Sequence, residues 1–343
     1  MDREYDQTFT EHVRSAREQV RSCKSILRES AQILSHHRRL FFALASTLVL
    51  PLCFMLLAHS LVSLPLLHKI RHNNEFIEMH PGTTAAKDRE ADVTGEWEYL
   101  LAFFAFYLLF VLAFSLLSTA AVVYTVACIY SEKSLSYTKV LSVVPRVWRR
   151  LVITFLWVFL LIFAYHAVAI LIFHLVFKNS PNIAIPVLVI IILLLWIFFF
   201  GVHVYISCIW HLASVITVLE DSYGIHALMK SIDLIRGSKR AAIQLFILYL
   251  GVGTFISIIF HAFVLYNHGH DGSSLFFRLL YGIMLVILLT FVTLFGMVAQ
   301  TVFYFACKAF HNEQIDWVAL SEHLGAYLGE YVPLKSSIQM ESL

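Results

Sequence analysis

Residues 220–240 read EDSYGIHALMKSIDLIRGSKR, and the reading of this stretch decides the fold. It is the longest polar interruption in the apolar second half of the chain. An apolar run over 183–219 precedes it, and another begins at Ala241. Asp221 or Ser222 is the expected N-cap of a short helix. Asp233 can pair with Lys230 or Arg236 along one face of it. Gly237 supplies a C-terminal turn. The stretch therefore reads as a short helix lying at a membrane surface, with Lys239-Arg240 opening the next membrane helix.

The composition supports a membrane setting. The chain of 343 residues is 59% hydrophobic and 14% charged, with mean hydropathy +0.76; a soluble domain carries roughly 25% charged residues. The net charge of +2 gives no indication of nucleic-acid binding. Apart from Arg278 and Lys308, near the two ends of the last run, the long apolar runs hold no Lys, Arg, Asp or Glu. Cys23, Cys53, Cys128, Cys208 and Cys307 form no CxxC pair and read as packing residues. The first run begins near Leu40, too late and too long for a signal peptide, so no cleaved leader is expected.

Six spans are predicted, near 40–67, 100–130, 151–177, 183–219, 241–266 and 275–310, each long enough to cross about 30 Å of hydrocarbon. Pro51 is expected to kink the first, and Pro186 falls in the first turn of the fourth, where proline is tolerated. Residues 1–39 read as a cytosolic amphipathic helix with Val13, Ala16, Val20, Cys23, Leu27, Ser30 and Leu34 on one stripe. The tail 311–343 reads as another, with Trp317, Leu320, Leu324, Leu328 and Tyr331 on its stripe and Pro333 ending it. Residues 40–310 form the membrane domain. The acidic stretch 68–99 is predicted to be an exposed loop, turning at His80-Pro81-Gly82-Thr83. Lys178–Asn182 is predicted to be a tight outer link and Asn267–Ser274 a short flexible outer turn. Gly251-x-Gly253 is expected to permit close helix contact or local bending.

A threefold pattern runs through these segments. Sliding Leu27–Phe42 onto Leu228–Ile243 without a gap brings Ser30 onto Ser231 and Arg38-Arg39 onto Lys239-Arg240. The same sliding places Arg149-Arg150 on that basic pair. Each unit reads as surface helix, two basic residues, membrane helix, outer turn, membrane helix. The fold expected is all-α: a polytopic membrane protein with six transmembrane helices in three hairpins plus cytosolic amphipathic helices. Residues 1–39, 131–150, 220–240 and 308–343 hold 8, 5, 4 and 2 basic residues. The opposite side holds 4, 1 and none, and its 4 are outweighed by 7 acids. The positive-inside rule therefore places both termini in the cytosol.

Histidine is the residue type best placed for chemistry, since His59, His166, His174, His203, His211 and His261 all fall inside apolar runs. His203 and His211, two turns apart, share a rough face. No HExxH, dense histidine box or intramembrane carboxylate accompanies them, so structural hydrogen bonding is the expected role and no catalytic, cofactor or metal site is assigned. The His268–Gly269–His270 turn lacks a tetrahedral set. Candidate cavity or lipid-contact residues are His203, Tyr205, Ser207 and His211, with Glu220, Asp221, Arg236, Lys239 and Arg240 at the membrane boundary.

At Glu220-Asp221-x-x-Gly224-x-x-Ala227-Leu228-x-x-Ser231-x-x-Leu234-Ile235-x-Gly237 the chain resembles plant multi-pass families related to bacterial YciC-like proteins, which are similar to the membrane domain beside some glycerophosphodiester phosphodiesterases. The tail, Ile315-Asp316-Trp317 through Leu328-Gly329-Glu330-Tyr331-Val332-Pro333-Leu334, carries the plant part of the likeness. The resemblance covers residues 10–335, apart from the acidic stretch 68–99. It implies a six-helix membrane domain with no catalytic residues of its own. The hydrolase of those enzymes is a separate soluble barrel, and no segment here is long or polar enough to be one. The expectation is a non-enzymatic protein of the endoplasmic reticulum or another endomembrane. It would organise membrane lipids, or recruit a protein partner on the cytosolic face, with a homo-oligomer as a further possibility. Lipid or small-molecule transport is the alternative, and an intramembrane enzyme the third reading.

Overall fold

The computed structural model describes residues 23–131, 136–178, 184–265 and 274–311. Among these residues the protein is all α. The helices are α1 (Cys23–His36), α2 (Arg38–Leu44), α3 (Leu50–Met79), α4 (Thr84–Tyr130), α5 (Tyr137–Lys178), α6 (Ile185–Leu219), α7 (Ile225–Ile235), α8 (Lys239–Phe260) and α9 (Ser274–Phe310). Short π-helical turns, Ala45–Val49 and His261–Leu265, join α2 to α3 and extend α8. Among the described residues six helical segments are long and apolar enough to span a bilayer: Arg38–Met79, Thr84–Tyr130, Val147–Lys178, Ile185–Leu219, Lys239–Leu265 and Phe276–Phe310. This is the predicted polytopic fold of three hairpins with added surface helices. The predicted turn over 267–274, the tail helix and the N-terminal stripe before Cys23 lie outside the described residues, wholly or nearly so.

A π turn over Ala45–Val49 runs directly into the helix that carries Pro51 in its first turn. Proline cannot donate to the carbonyl one turn back, and the wider turn just before it relaxes that register. Ser46 and Thr47 hydroxyls donate to the Ala43 carbonyl there.

The chain divides into two compact units. The first holds the described residues of Met1–Leu40, Thr119–Leu248 and Met297–Leu343. Its core includes Tyr124, Leu151, Leu212, Ile216 and Ile235, all almost fully buried. Thr154 on α5 and Thr217 on α6 meet at 3.0 Å, and the Gly224 N–H donates to Thr154 Oγ1 at 2.8 Å. One buried hydroxyl therefore ties two membrane helices to the root of the surface helix.

The second unit is Phe41–Ser118 with Tyr249–Gly296. Here 68–99 departs from expectation. Helix α3 runs on to Met79, the chain turns at 80–83, and α4 begins at Thr84, so the acidic stretch is a helical hairpin and not a loop. Ile70, Val93 and Leu100 form its buried seam, flanked by Leu66 and Ile77. Asn73 and Glu96 are buried in the same seam with Nδ2 3.4 Å from the carboxylate, and Lys69 reaches Glu96 at 2.8 Å. The Arg89 guanidinium stacks over Phe76 at 3.9 Å.

Of the two roles expected for Gly251-x-Gly253, close helix contact is not found there among the described residues. Apart from the helix's own neighbouring backbone, no atom of the described residues lies within 4 Å of where a Cβ would sit on either glycine. The close helix approach occurs instead at Gly296, where a Cβ would stand 2.9 Å from the Tyr249 ring. Arg278 donates from Nε and Nη2 to the Val264 carbonyl at 2.9 and 2.6 Å, within the π turn.

Candidate functional site at the root of the surface helix

Helix α7 forms where predicted, and its two ends are set by glycines. Gly224, at φ 63° and ψ −134°, is the N-cap, and no side chain caps the helix. The expected Asp221 or Ser222 cap is therefore wrong. The segment needs a backbone conformation nearly reserved for glycine, which places the helix start three residues beyond the acidic pair. Gly237, at φ 95°, makes the predicted C-terminal turn. Ala227, Ser231, Leu234 and Ile235 are buried, and Ile225, Met229, Asp233 and Arg236 face outward.

The acidic pair, relieved of capping, makes ion pairs. Glu220 Oε2 lies 2.6 Å from Lys230 Nζ. Its Oε1 lies 2.8 Å from Lys308 Nζ and accepts a hydrogen bond of 2.6 Å from the Tyr304 hydroxyl. Burial works against the charge on Glu220. The hydrogen bonds from Lys230, Lys308 and Tyr304 outweigh it and hold the carboxyl below its usual range. Asp221 meets Arg150 at 2.9 Å, out in solvent. A second glutamate–tyrosine contact holds the other surface helix: Tyr130, at the end of α4, donates to Glu29 of α1. Ser30 and Ser231, which the repeat alignment superposes, are both fully buried, and each donates back into its own helix.

The repeat is less regular at its middle copy. Arg38 and Lys239 each begin a new helix after a break, as predicted. Arg149-Arg150 lies inside the continuous helix α5, which runs through Pro145 without ending there.

The remaining candidates do not form one constellation. His203 stands against Tyr165 and His166 of α5, with ring centroids 6.2 and 5.9 Å away. His211 is stacked on Trp210 and tilted against Phe246, 5.6 Å away, and its backbone carbonyl accepts from Gln300. Ser207 is buried on the same helix. Tyr205 lies beneath Lys239, whose Nζ is 6.0 Å from the ring. Arg236 pairs with Asp233 at 3.1 Å and remains 69% exposed, and Lys239 and Arg240 are exposed. Three of the embedded histidines bond to carbonyls of their own helices: His59 to Leu56, His166 to Ile162 and His261 to Ser257. Among the described residues no three His, Cys, Asp or Glu side chains come together to hold a metal ion.

Lys230, Lys308, Tyr304 and Arg150 complete the site but were not among the predicted residues. A signal for one existed: Lys308 is one of two charges placed inside apolar runs, and an embedded lysine needs an acidic partner near the interface.

This fold and site define a polytopic helical membrane protein with a surface helix clamped to the ends of its membrane helices. The chain belongs to a family described as a domain of unknown function (DUF8558), whose model matches residues 15–343. No curated protein and no solved structure matches it.

Proposed function

We propose that the protein is a non-catalytic component of an endomembrane, the endoplasmic reticulum foremost, which gathers anionic lipid on its cytosolic face and so marks that face for partners. The outward face of α7 carries this reading. Met229 is 56% exposed and Ile225 40%, with Tyr223 beside them, while Arg236, Lys239 and Arg240 are exposed at the other end. The helix lies between the end of one span at Leu219 and the start of the next at Lys239. A short helix in that place meets the headgroup layer, where apolar side chains dip toward acyl chains and each basic side chain contributes roughly 1 kcal/mol against anionic lipid.

The charges inside apolar runs support this reading over ion-coupled transport. Lys308 is held by Glu220, and Arg278 by the Val264 carbonyl. The likeness to YciC-like membrane domains is part of the same proposal, since it implies a six-helix domain without its own catalytic residues. Native mass spectrometry of the full chain, released from nanodiscs of mixed phosphatidylcholine and phosphatidylserine, tests it. The protein retains phosphatidylserine preferentially, and Arg236→Ala/Lys239→Ala/Arg240→Ala lowers that retention by roughly tenfold or more. Equal retention of both lipids by both proteins contradicts the proposal.

A further inference from the structure

The two acids at the root of α7 have opposite surroundings. Glu220 is drawn inward to Lys230, Lys308 and Tyr304. The Asp221 side chain is 77% exposed and meets Arg150 Nη1 at 2.9 Å, with the arginine side chain 33% exposed. An ion pair this open contributes little to stability. Its position gives it another use. Arg150 stands immediately before the apolar run that begins at Leu151, and Asp221 stands two residues beyond Leu219, the end of α6. Both charges therefore lie level with the headgroups of a bilayer that α5 and α6 span.

Below the pair the surface changes character in steps. Arg150, Ile153 and Trp157 follow one another at intervals of three and four, along one stripe of α5. Ile153 and Trp157 are exposed. The root of α7 rests on that stripe: a Cβ added to Gly224 would stand 3.3 Å from Trp157 Cδ1 and 3.4 Å from Ile153 Cγ2. Tyr223, the residue before it, is exposed as well. Trp and Tyr at a bilayer boundary sit where a lipid passes from headgroup to acyl chain.

The charges select among headgroups. A guanidinium is a fork of N–H donors suited to phosphate oxygens, and an ionised carboxylate only accepts and calls for a donor. A headgroup that is purely anionic answers Arg150 and is repelled by Asp221. A choline headgroup has the positive charge but no N–H. A headgroup carrying both a phosphate and a primary ammonium answers the two side chains together, each through a charge-assisted hydrogen bond.

We propose that Arg150 and Asp221 bind the headgroup of an amine-bearing phospholipid, phosphatidylethanolamine or phosphatidylserine. The phosphate lies on Arg150, the ammonium on Asp221, and an acyl chain along Ile153 and Trp157. The site is separate from the basic end of α7, since Arg236 and Lys239 lie beyond the far end of that helix, about 16 Å away.

Native mass spectrometry of the full chain tests this with two lipid pairs, each matched in net charge. Nanodiscs contain phosphatidylethanolamine with phosphatidylcholine, or phosphatidylserine with phosphatidylglycerol. The native protein retains the amine-bearing lipid over its counterpart by about fivefold, the factor that one charged contact at a membrane surface supplies. Asp221→Asn removes the preference and, because the side chain is exposed, leaves the unfolding temperature unchanged. Arg236→Ala/Lys239→Ala/Arg240→Ala keeps it, so this result is independent of the anionic-lipid reading. Preference within the first pair alone names phosphatidylethanolamine as the occupant, and within the second alone phosphatidylserine. Equal retention within both pairs, a preference for phosphatidylcholine, or a preference that survives Asp221→Asn overturns the proposal.

Discussion

The Glu220 carboxylate lies 2.8 Å from Lys308 Nζ, and each side chain is about 15% exposed. The contact joins the root of the surface helix to the last turn of the final membrane helix. Lys308 has little water around it, and Glu220 places an opposite charge against it. Glu220→Gln removes that countercharge from a poorly hydrated ammonium. A loss of roughly 3 kcal/mol is expected, less than for a fully buried pair because Lys230 is 35% exposed and can turn to solvent. Adding Lys308→Met recovers most of it. Thermal unfolding of the single and double variants in detergent measures both.

Acid acts through the same carboxylate. Its folded-state pKa lies below the ordinary 4.5. Its contribution to stability is therefore complete above about pH 4.5 and is lost as pH falls through the folded value. Well above that range, from about pH 6, this carboxylate contributes no slope. Unfolding followed from pH 7 down to 3 should show an acid-side decline that Glu220→Gln reduces.

The glycines divide into two kinds. Gly237 sits at φ 95°, and a Cβ there would stand 2.6 Å from the Phe310 ring. Gly237→Ala should cost about 1–3 kcal/mol from the backbone conformation alone, with the displacement of Phe310 added. Gly251 lies within a helix facing open space, so Gly251→Ala should be neutral or stabilising by about 0.5–1 kcal/mol. Thermal unfolding of the two variants should move in opposite directions.

The hairpin over 68–99 makes a prediction that a loop could not meet. Amide hydrogen exchange should be slow on both sides of the turn, around Ile70–Ile77 and Val93–Leu100, and fast at 80–83. Ile70→Ala should abolish the slow exchange there, since it removes one of three residues in a small seam. Uniformly fast exchange over the native stretch would contradict the helical hairpin.

That hairpin also shows where the sequence misleads. Leu66, Ile70, Asn73 and Ile77 recur at steps of four, three and four. Ala86, Arg89, Val93, Glu96 and Leu100 recur at three, four, three and four. The spacing is that of a two-helix seam. It was hidden because Asn73, Arg89 and Glu96 occupy inward positions and satisfy one another there. The six spans were readable because backbone in lipid must bond to itself and twenty apolar residues suffice to show it. The surface helix was readable from its helical spacing and from Gly237. Its cap was not, since an Asp–Ser pair before a helix is ordinarily a cap, and only the fold shows Glu220 and Asp221 drawn to Lys308 and Arg150. Such partners lie far away in sequence and leave no local trace.

The orientation of the basic face underlies the lipid reading, and labelling in sealed vesicles tests it most directly. The background is Cys23→Ser, the other four cysteines being buried. Single cysteines replace Tyr223 on the root of α7 and Gly82 at the hairpin turn, and a membrane-impermeant maleimide is added to right-side-in microsomes. Tyr223→Cys should react at once from the cytosolic side, and Gly82→Cys only after the vesicles are opened. Protection of Tyr223→Cys with free reaction at Gly82→Cys would invert the topology and remove the basis for anionic-lipid binding on the cytosolic face.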